Sequence, residues 1–388
     1  MKKFILATPM ALLAVPGFAQ SSVTLFGVAE AQVGTWNNLV AAPVSRANPF
    51  GATVESGRTK GLVPYGINAS RIGFRGTEDL GEGLKANFIL ENQLAMDTGT
   101  TPARFFHRQA NVGLSGSFGQ IRLGRIYTAW NDVASNSSVG YGDTYDPYVR
   151  VWRVGGPVPL GSPTANAGGQ LTGLAGSLGT NNDLGNPQVY THVRLDKSVR
   201  YDTPSFNGVV ASAQVGLNDT AKTPSAQSYA VVYDQGAVRA GVGYYRQNTK
   251  SYYDPATETF NAALPQEGKL ETLTVAFNYD FGPAKLITMF GQSRYDLFSL
   301  SMRTASREWS VGMTAPVAGN FLLKASVAGS DSKDLAGKDI GAALELHYNL
   351  SKRTAIYGAY SWSKYDELLN GQANRSSMIA AIGLRHFF

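Results

Sequence analysis

The sequence predicts an all-β protein, with sixteen antiparallel strands closed into a transmembrane β-barrel. Three observations predict it. Apolar and polar residues alternate with period 2 in sixteen segments of roughly ten residues. The connections between those segments alternate between short and long. In the last segment Met378, Ala380, Ile382, Leu384 and Phe388 share one phase and Arg385 takes the other, so an amphipathic strand ends on an aromatic ring.

Residues 1–19 are expected to be a signal peptide. Lys2 and Lys3 supply a charged head, and Phe4 to Val15 are mostly apolar but too few to span a bilayer as a helix. Gly17-Phe18-Ala19 has a small-x-small cleavage pattern. Cleavage after Ala19 leaves residues 20–388 as one barrel domain. The first strand runs from Val23 to Val33, with Val23, Leu25, Gly27, Ala29 and Ala31 opposite Thr24, Glu30 and Gln32. In the second, Ser70 to Thr77, Ile72 and Phe74 oppose Arg71 and Arg75. The third sets Leu84, Ala86, Phe88 and Leu90 against Lys85, Asn87 and Glu91. Further on, Leu273, Val275, Phe277 and Tyr279 oppose Thr272, Thr274, Asn278 and Asp280. Trp309, Val311 and Met313 oppose Glu308, Ser310 and Thr314, and Leu344, Leu346, Tyr348 and Leu350 oppose Glu345, His347 and Asn349.

Seven connections are short and carry turn residues: Glu78 to Gly83, Ser115 to Phe118, Pro204 to Asn207, Asp234 to Gly236, Gly282-Pro283, Pro316 to Gly319 and Ser351-Lys352. Eight are long, among them Gly34 to Ala69, Tyr127 to Asp196 and Asn248 to Lys269. An even strand number with long loops on one side is the pattern of bacterial outer-membrane barrels. A strand of ~10 residues, tilted ~45°, spans roughly 23 Å, which matches their ~25 Å apolar band. A soluble β-sandwich has the same alternation with the apolar phase inward. Strand number, one-sided loops and aromatics near strand ends (Tyr244, Tyr279, Phe281, Tyr348, Tyr360, Trp362, Phe388) favour the membrane arrangement.

Composition narrows the classes further. No apolar run approaches the ~18 residues of a transmembrane helix. The absence of cysteine rules out disulfide staples. The formal net charge is +6, two of those positive charges leave with the signal peptide, and no polybasic cluster points to nucleic acid. His107, His192, His347 and His386 lack metal-ligand spacing, so no metal and no cofactor are expected. Gly81-Glu82-Gly83-Leu84-Lys85-Ala86 fits part of a dinucleotide fingerprint, but no helix follows it and it reads as a turn. A lipid-face hydrolase would need a Ser-His pair. His386 has that phase without a polar partner, so no enzymatic reaction is expected.

The chain resembles the trimeric general porins of Gram-negative outer membranes, in their betaproteobacterial branch. The resemblance rests on Ser21-Ser22-Val23-Thr24-Leu25-Phe26-Gly27 and on the stretch from Ser70-Arg71-Ile72-Gly73-Phe74-Arg75-Gly76 through Leu84. It continues in Arg108-Gln109-Ala110-Asn111-Val112-Gly113-Leu114, Leu123-Gly124-Arg125, Ser198-Val199-Arg200-Tyr201-Asp202-Thr203-Pro204 and Gly383-Leu384-Arg385-His386-Phe387-Phe388. It implies an outer-membrane homotrimer that lets small hydrophilic solutes diffuse passively, with outer-membrane lipid, lipopolysaccharide and the barrel-assembly machinery as partners and Phe388 as the assembly signal. It also implies a third loop folded into the lumen. The first and third loops are long for the family, and the third is rich in Gly and Ser from Gly155 to Gly185. His386 stands where an aromatic or aliphatic residue would make a stronger assembly signal.

If the apolar phase faces lipid, the other lines the water. A charge on the lipid face costs ~2–4 kcal/mol at mid-bilayer, which collects charges on the inner phase. There Arg71, Arg75, Lys85, Arg122, Arg200, Arg239, Lys285, Lys324 and Arg385 outnumber Glu30, Glu91, Asp202, Asp280, Glu308 and Glu345, so small anionic or neutral solutes are the expected passengers. The resemblance places the constriction between the third loop and Arg71, Arg108 and Arg200, with Arg75 and Arg122 beside them. Asp132, Asp143 and Asp146 are the loop's candidate acids. Arg108 shares the phase of Ala110 and Val112, and it lies at the outer strand end, where a bulge could turn it inward. Replacing Arg71 and Arg200 with Ser is expected to leave the fold intact. A substrate-selective channel and an adhesin or phage-receptor barrel are the competing readings, and conductance separates the latter from a porin.

Overall fold

The computed structural model describes residues 22–41, 53–63, 66–101, 105–135, 139, 145–147, 151, 194–217, 225–252, 265–297, 302–332, 338–365 and 375–388. Among them are seventeen strands and one short helix. The expected signal peptide lies outside the described residues. The strands are β1 (Ser22–Ala41), β2 (Thr53–Val63), β3 (Arg71–Gly81), β4 (Leu84–Gln93), β5 (Gln109–Gly116) and β6 (Gly119–Tyr127), followed by helix α1 (Ala129–Ala134). Then come β7 (Arg194–Asp202), β8 (Val209–Gly216), β9 (Ala226–Gln235), β10 (Val238–Tyr252), β11 (Pro265–Asp280) and β12 (Lys285–Leu297). β13 (Met302–Ala318), β14 (Phe321–Ser332), β15 (Lys338–Asn349), β16 (Thr354–Tyr365) and β17 (Arg375–Phe387) complete the chain.

From β3 onward each strand pairs antiparallel with the next. β17 returns to β1 through a ladder from Val28↔Phe387 to Trp36↔Ile379, and β1 pairs with β3 on its other edge from Ser22↔Thr77 to Val28↔Arg71. Sixteen strands thus close the wall, as the alternation predicts. Closure leaves no open edge, which lipid requires.

The wall is inside out relative to a soluble sandwich. Leu344 is 50% exposed and its neighbour Glu345 is 2%; Val275 is 46% exposed and Thr274 is 0%. The apolar phase therefore faces outward on strand after strand, and the polar phase is occluded.

The seventeenth strand departs from the sequence reading, which placed a loop from Gly34 to Ala69. β1 continues to Ala41 and pairs with β2 from Gln32↔Val63 to Ala41↔Thr53. Beyond the lipid, ladder bonds need no apolar alternation, so this hairpin leaves no periodic trace. The same holds for β10 and β11, paired out to Tyr252↔Pro265. Between the β3 and β2 ladders, the Glu30 side chain replaces the missing strand. Its carboxylate accepts the amides of Ile67 (2.5 Å) and Asn68 (2.9 Å), and its backbone N–H donates to Ser70 Oγ (3.0 Å). Tyr357 O–H also donates to Glu30 (2.6 Å), and Tyr145 O–H donates to Gln32 (2.6 Å). Ile67, Tyr145, Trp36, Tyr357 and Ile379 form one buried apolar cluster there.

Gly81-Glu82-Gly83, read as a turn, is the β3–β4 hairpin, with φ of 89°, 53° and 79°. At the seam, Gly27 N donates to Phe388 O (3.0 Å) and Phe388 N to Gly27 O (3.2 Å). A Cβ at Gly27 would collide with the Phe388 ring and the Arg71 carbonyl oxygen.

Candidate functional site

Arg71 and Arg75 are four residues apart on β3, so both leave the same face. Glu91 on β4 stands across from Gly73, between them. Its carboxylate accepts from Arg108 Nε (2.8 Å) and Gln109 Nε2 (3.0 Å), and lies 3.2 Å from Arg71 Nε. Arg108 thus joins the inner cluster, but through no bulge. The β4–β5 ladder ends unshifted at Glu91↔Gln109. Arg108 is one residue beyond it, where the chain bends and Arg108 N donates to Glu91 O (3.0 Å). The phase rule no longer applies there.

Arg108 also donates to Tyr127 O–H (2.6 Å), as does Arg194 (3.2 Å), whose guanidinium stacks 4.8 Å from the Tyr127 ring centre. Arg75 lies over the Phe26 ring at 5.2 Å, and no carboxylate among the described residues pairs with it.

The second half comes from β6 and β7, where Arg122 and Arg200 are direct cross-strand partners. Like charges opposite each other destabilise a ladder. Asp202 offsets this by pairing with Arg122 Nη2 (2.7 Å) and Arg200 Nη2 (2.6 Å), and by accepting from Ser212 Oγ (2.7 Å). Arg200 also donates to Tyr127 O (2.9 Å) and pairs with Asp132 of α1. It is 3% exposed, a buried anchor.

Thr128 caps α1, its hydroxyl accepting from Asn131 N (3.2 Å). Trp130 is fully buried; its amide donates to Ser228 Oγ (2.8 Å) and its indole N–H to Thr274 Oγ1 (2.9 Å). Val133 packs over Gly241 and Gly243, Val139 meets Gly312, Pro147 faces Gly341, and Ser330 Oγ donates to Val151 O (2.6 Å). The described residues of the third loop therefore touch the polar-phase face of strands from β8 round to β15.

Beside them lies a cavity of about 810 Å³. Arg71, Arg75, Arg108, Arg122, Arg194 and Arg200 line it, with Glu91 and Asp132 as the carboxylates and Tyr127, Asn131 and Phe388 among the other walls. All five arginines named from the sequence meet here. Arg194 and Tyr127 were missed because they fall at the two ends of the segment read as loop; β7 begins at Arg194. Asp146 is fully buried between Tyr145 and Pro147 and does not line the cavity. Asp143 lies outside the described residues.

A family model described as Gram-negative porin matches residues 7–368. Over 100% of both chains, the protein is 29% identical to outer membrane porin protein 32 of Delftia acidovorans and 27% identical to major outer membrane protein P.IB of Neisseria meningitidis serogroup B. Its fold is similar to that of a solved anion-selective porin from Comamonas acidovorans, with a TM-score of 0.72 and 26% identity over 95% of this chain and 100% of that one. The inside-out sixteen-stranded wall and the match along nearly its whole length place this chain in the Gram-negative porin family.

Proposed function

We propose that this outer-membrane porin passes small hydrophilic solutes by passive diffusion and prefers anions. One observation carries the reading: among the described residues six arginines line the cavity against two carboxylates, and both carboxylates are already ion-paired. In this reading the third loop folds into the lumen and sets the constriction, the contacts of Trp130, Val139 and Val151 with the wall being its support. Residues 1–19 are the export signal in the same reading, and the similar Comamonas porin is described as anion-selective.

A unit charge about 5 Å from an ion in water contributes ~0.8 kcal/mol, so several together give a modest preference. Replacing Arg71 and Arg75 with Gln removes two cavity charges that hold no loop contact. The reversal potential in asymmetric KCl is expected to shift toward cations at low salt. At 1 M salt the Debye length is ~3 Å and the shift should shrink. An unchanged reversal potential at low salt would overturn the assignment.

The assembly is proposed to be a homotrimer packed on the β1/β17 seam, whose outward phase is small at Ala29, Ala31 and Ala380. Small residues let membrane walls approach closely. Cross-linking in native membranes should trap trimers; monomers alone would count against the interface.

A further inference from the structure

Two phenylalanines stand on the water-facing phase of the wall, where strands elsewhere turn polar groups inward. β11 puts Thr272, Thr274 and Asn278 there, and β13 puts Ser306, Glu308 and Ser310. Phe26 shares the inner phase of Thr24 and Glu30, and Phe387 shares that of Arg385. Both are half-buried and line the cavity, as does Ile89 of β4. Lipid does not account for them, because this phase never meets it.

The register gathers them around Arg75. Phe26 stands across from Gly73, and Ile89 across from Arg75. A Cβ at Gly73 would come within 2.6 Å of Phe26 Cζ, so the ring lies over the place of the missing side chain. Phe387 pairs with Val28, the next inner residue after Phe26. The two phenylalanines are therefore diagonal neighbours, about 7–8 Å apart along the wall and within reach of aromatic side chains. The Arg75 guanidinium sits 5.2 Å from the Phe26 ring centre, and that of Arg385 sits 4.8 Å from the Phe387 ring centre. Arg75 is exposed, and among the described residues no carboxylate is ion-paired with it. Arg71, Arg108, Arg122 and Arg200 of the same cavity each hold one.

We infer that Arg75, Phe26 and Phe387 form a subsite for aromatic carboxylates, with the carboxylate on the Arg75 guanidinium and the aryl ring against the two phenyl groups. The inference rests on the anion-channel reading and names a solute class within it. A guanidinium fork matches carboxylate oxygens in pairs. Aromatic rings gain from offset and edge-on contacts with one another beyond the area they cover. A small anion would use Arg75 and leave the phenyl groups wet, and an uncharged aromatic would use the phenyl groups and leave Arg75 unanswered.

The test places the full chain in planar bilayers and reads the concentration of added solute that halves the single-channel KCl conductance. The solutes are benzoate, cyclohexanecarboxylate as a size control without a flat face, and benzamide as the uncharged control. In wild type, benzoate should act at a concentration about fivefold lower than cyclohexanecarboxylate, and benzamide should act least. Phe26→Leu keeps an apolar side chain but no ring, and should bring the two carboxylates level. Arg75→Gln should weaken benzoate about fourfold. Equal block by the two carboxylates in wild type, a Phe26→Leu channel that still separates them, or wild-type benzoate block in Arg75→Gln would each overturn the subsite. The reversal potential in asymmetric KCl is read on the same channels. Anion preference without discrimination among the solutes sinks the subsite alone, whereas cation preference in wild type sinks the reading beneath it.

Discussion

Chains lacking Phe388 are expected to leave almost no folded barrel in the outer membrane. Phe388 exchanges two backbone hydrogen bonds with Gly27, and its ring fills the place of the absent Gly27 side chain beside Arg71. Truncation leaves Gly27 N and O unsatisfied at the seam, and each such group in lipid costs several kcal/mol. That loss rivals the 5–15 kcal/mol by which folded domains are typically stable. Gly27→Val attacks the same contact from the other strand, by driving a side chain into the ring and the Arg71 carbonyl, and should reproduce the defect. Unheated gels of outer-membrane fractions read the folded form. Normal levels of folded, truncated chain would show that Phe388 does not secure the seam.

Arg200→Ser is expected to loosen the third loop while leaving the wall closed, a local loss that the sequence expectation of an intact fold did not include. The side chain holds Asp132 of α1, the Tyr127 carbonyl and Asp202 at once. Asp132 is 36% exposed, so losing its guanidinium costs less than the ~3–5 kcal/mol of a fully buried pair, and the lost donor to the Tyr127 carbonyl adds to it. Asp202 keeps Arg122, so the loss falls on Asp132 and the entry to α1. Limited proteolysis should cut the loop at least tenfold faster, since about 1.4 kcal/mol already corresponds to tenfold in an equilibrium. Single-channel traces should become noisier, with unheated gel mobility unchanged. A variant with wild-type protease resistance would mean that Trp130 and its two hydrogen bonds hold the loop unaided.

The wall was legible because lipid penalises a wrong phase at every residue it touches. Leu344 against Glu345 and Val275 against Thr274 follow that rule, and so do Arg71, Arg122 and Arg200. Legibility ended where lipid ends. β2 and the outer parts of β10 and β11 are held by ladder bonds that carry no apolar signature. Arg108 sits one residue past its ladder, and its phase gave the wrong prompt for the right location. Arg194 opens β7 just before a backbone break, Lys197 at φ 47°, that interrupts alternation. The burial of Asp146 depends on Tyr145 and Pro147 meeting strands far along the chain, which local pattern does not encode.

The seats of α1 and the residues after it carry a consequence for the order of folding. Trp130 binds Ser228 and Thr274, 98 and 144 residues later, and Val151 binds Ser330, 179 residues later. None of those docking points exists until the strands bearing them have paired. Contacts across such separations form late, because the ends of a long chain segment must first be brought together. The loop therefore has nowhere to rest until those strands have paired, although the β1/β17 ladder that closes the wall, Val28 with Phe387, spans a longer stretch of chain still. The few described contacts of the loop are expected to part under denaturant before the continuous ladders of the wall, so protease cleavage of the loop should precede loss of the folded barrel on unheated gels.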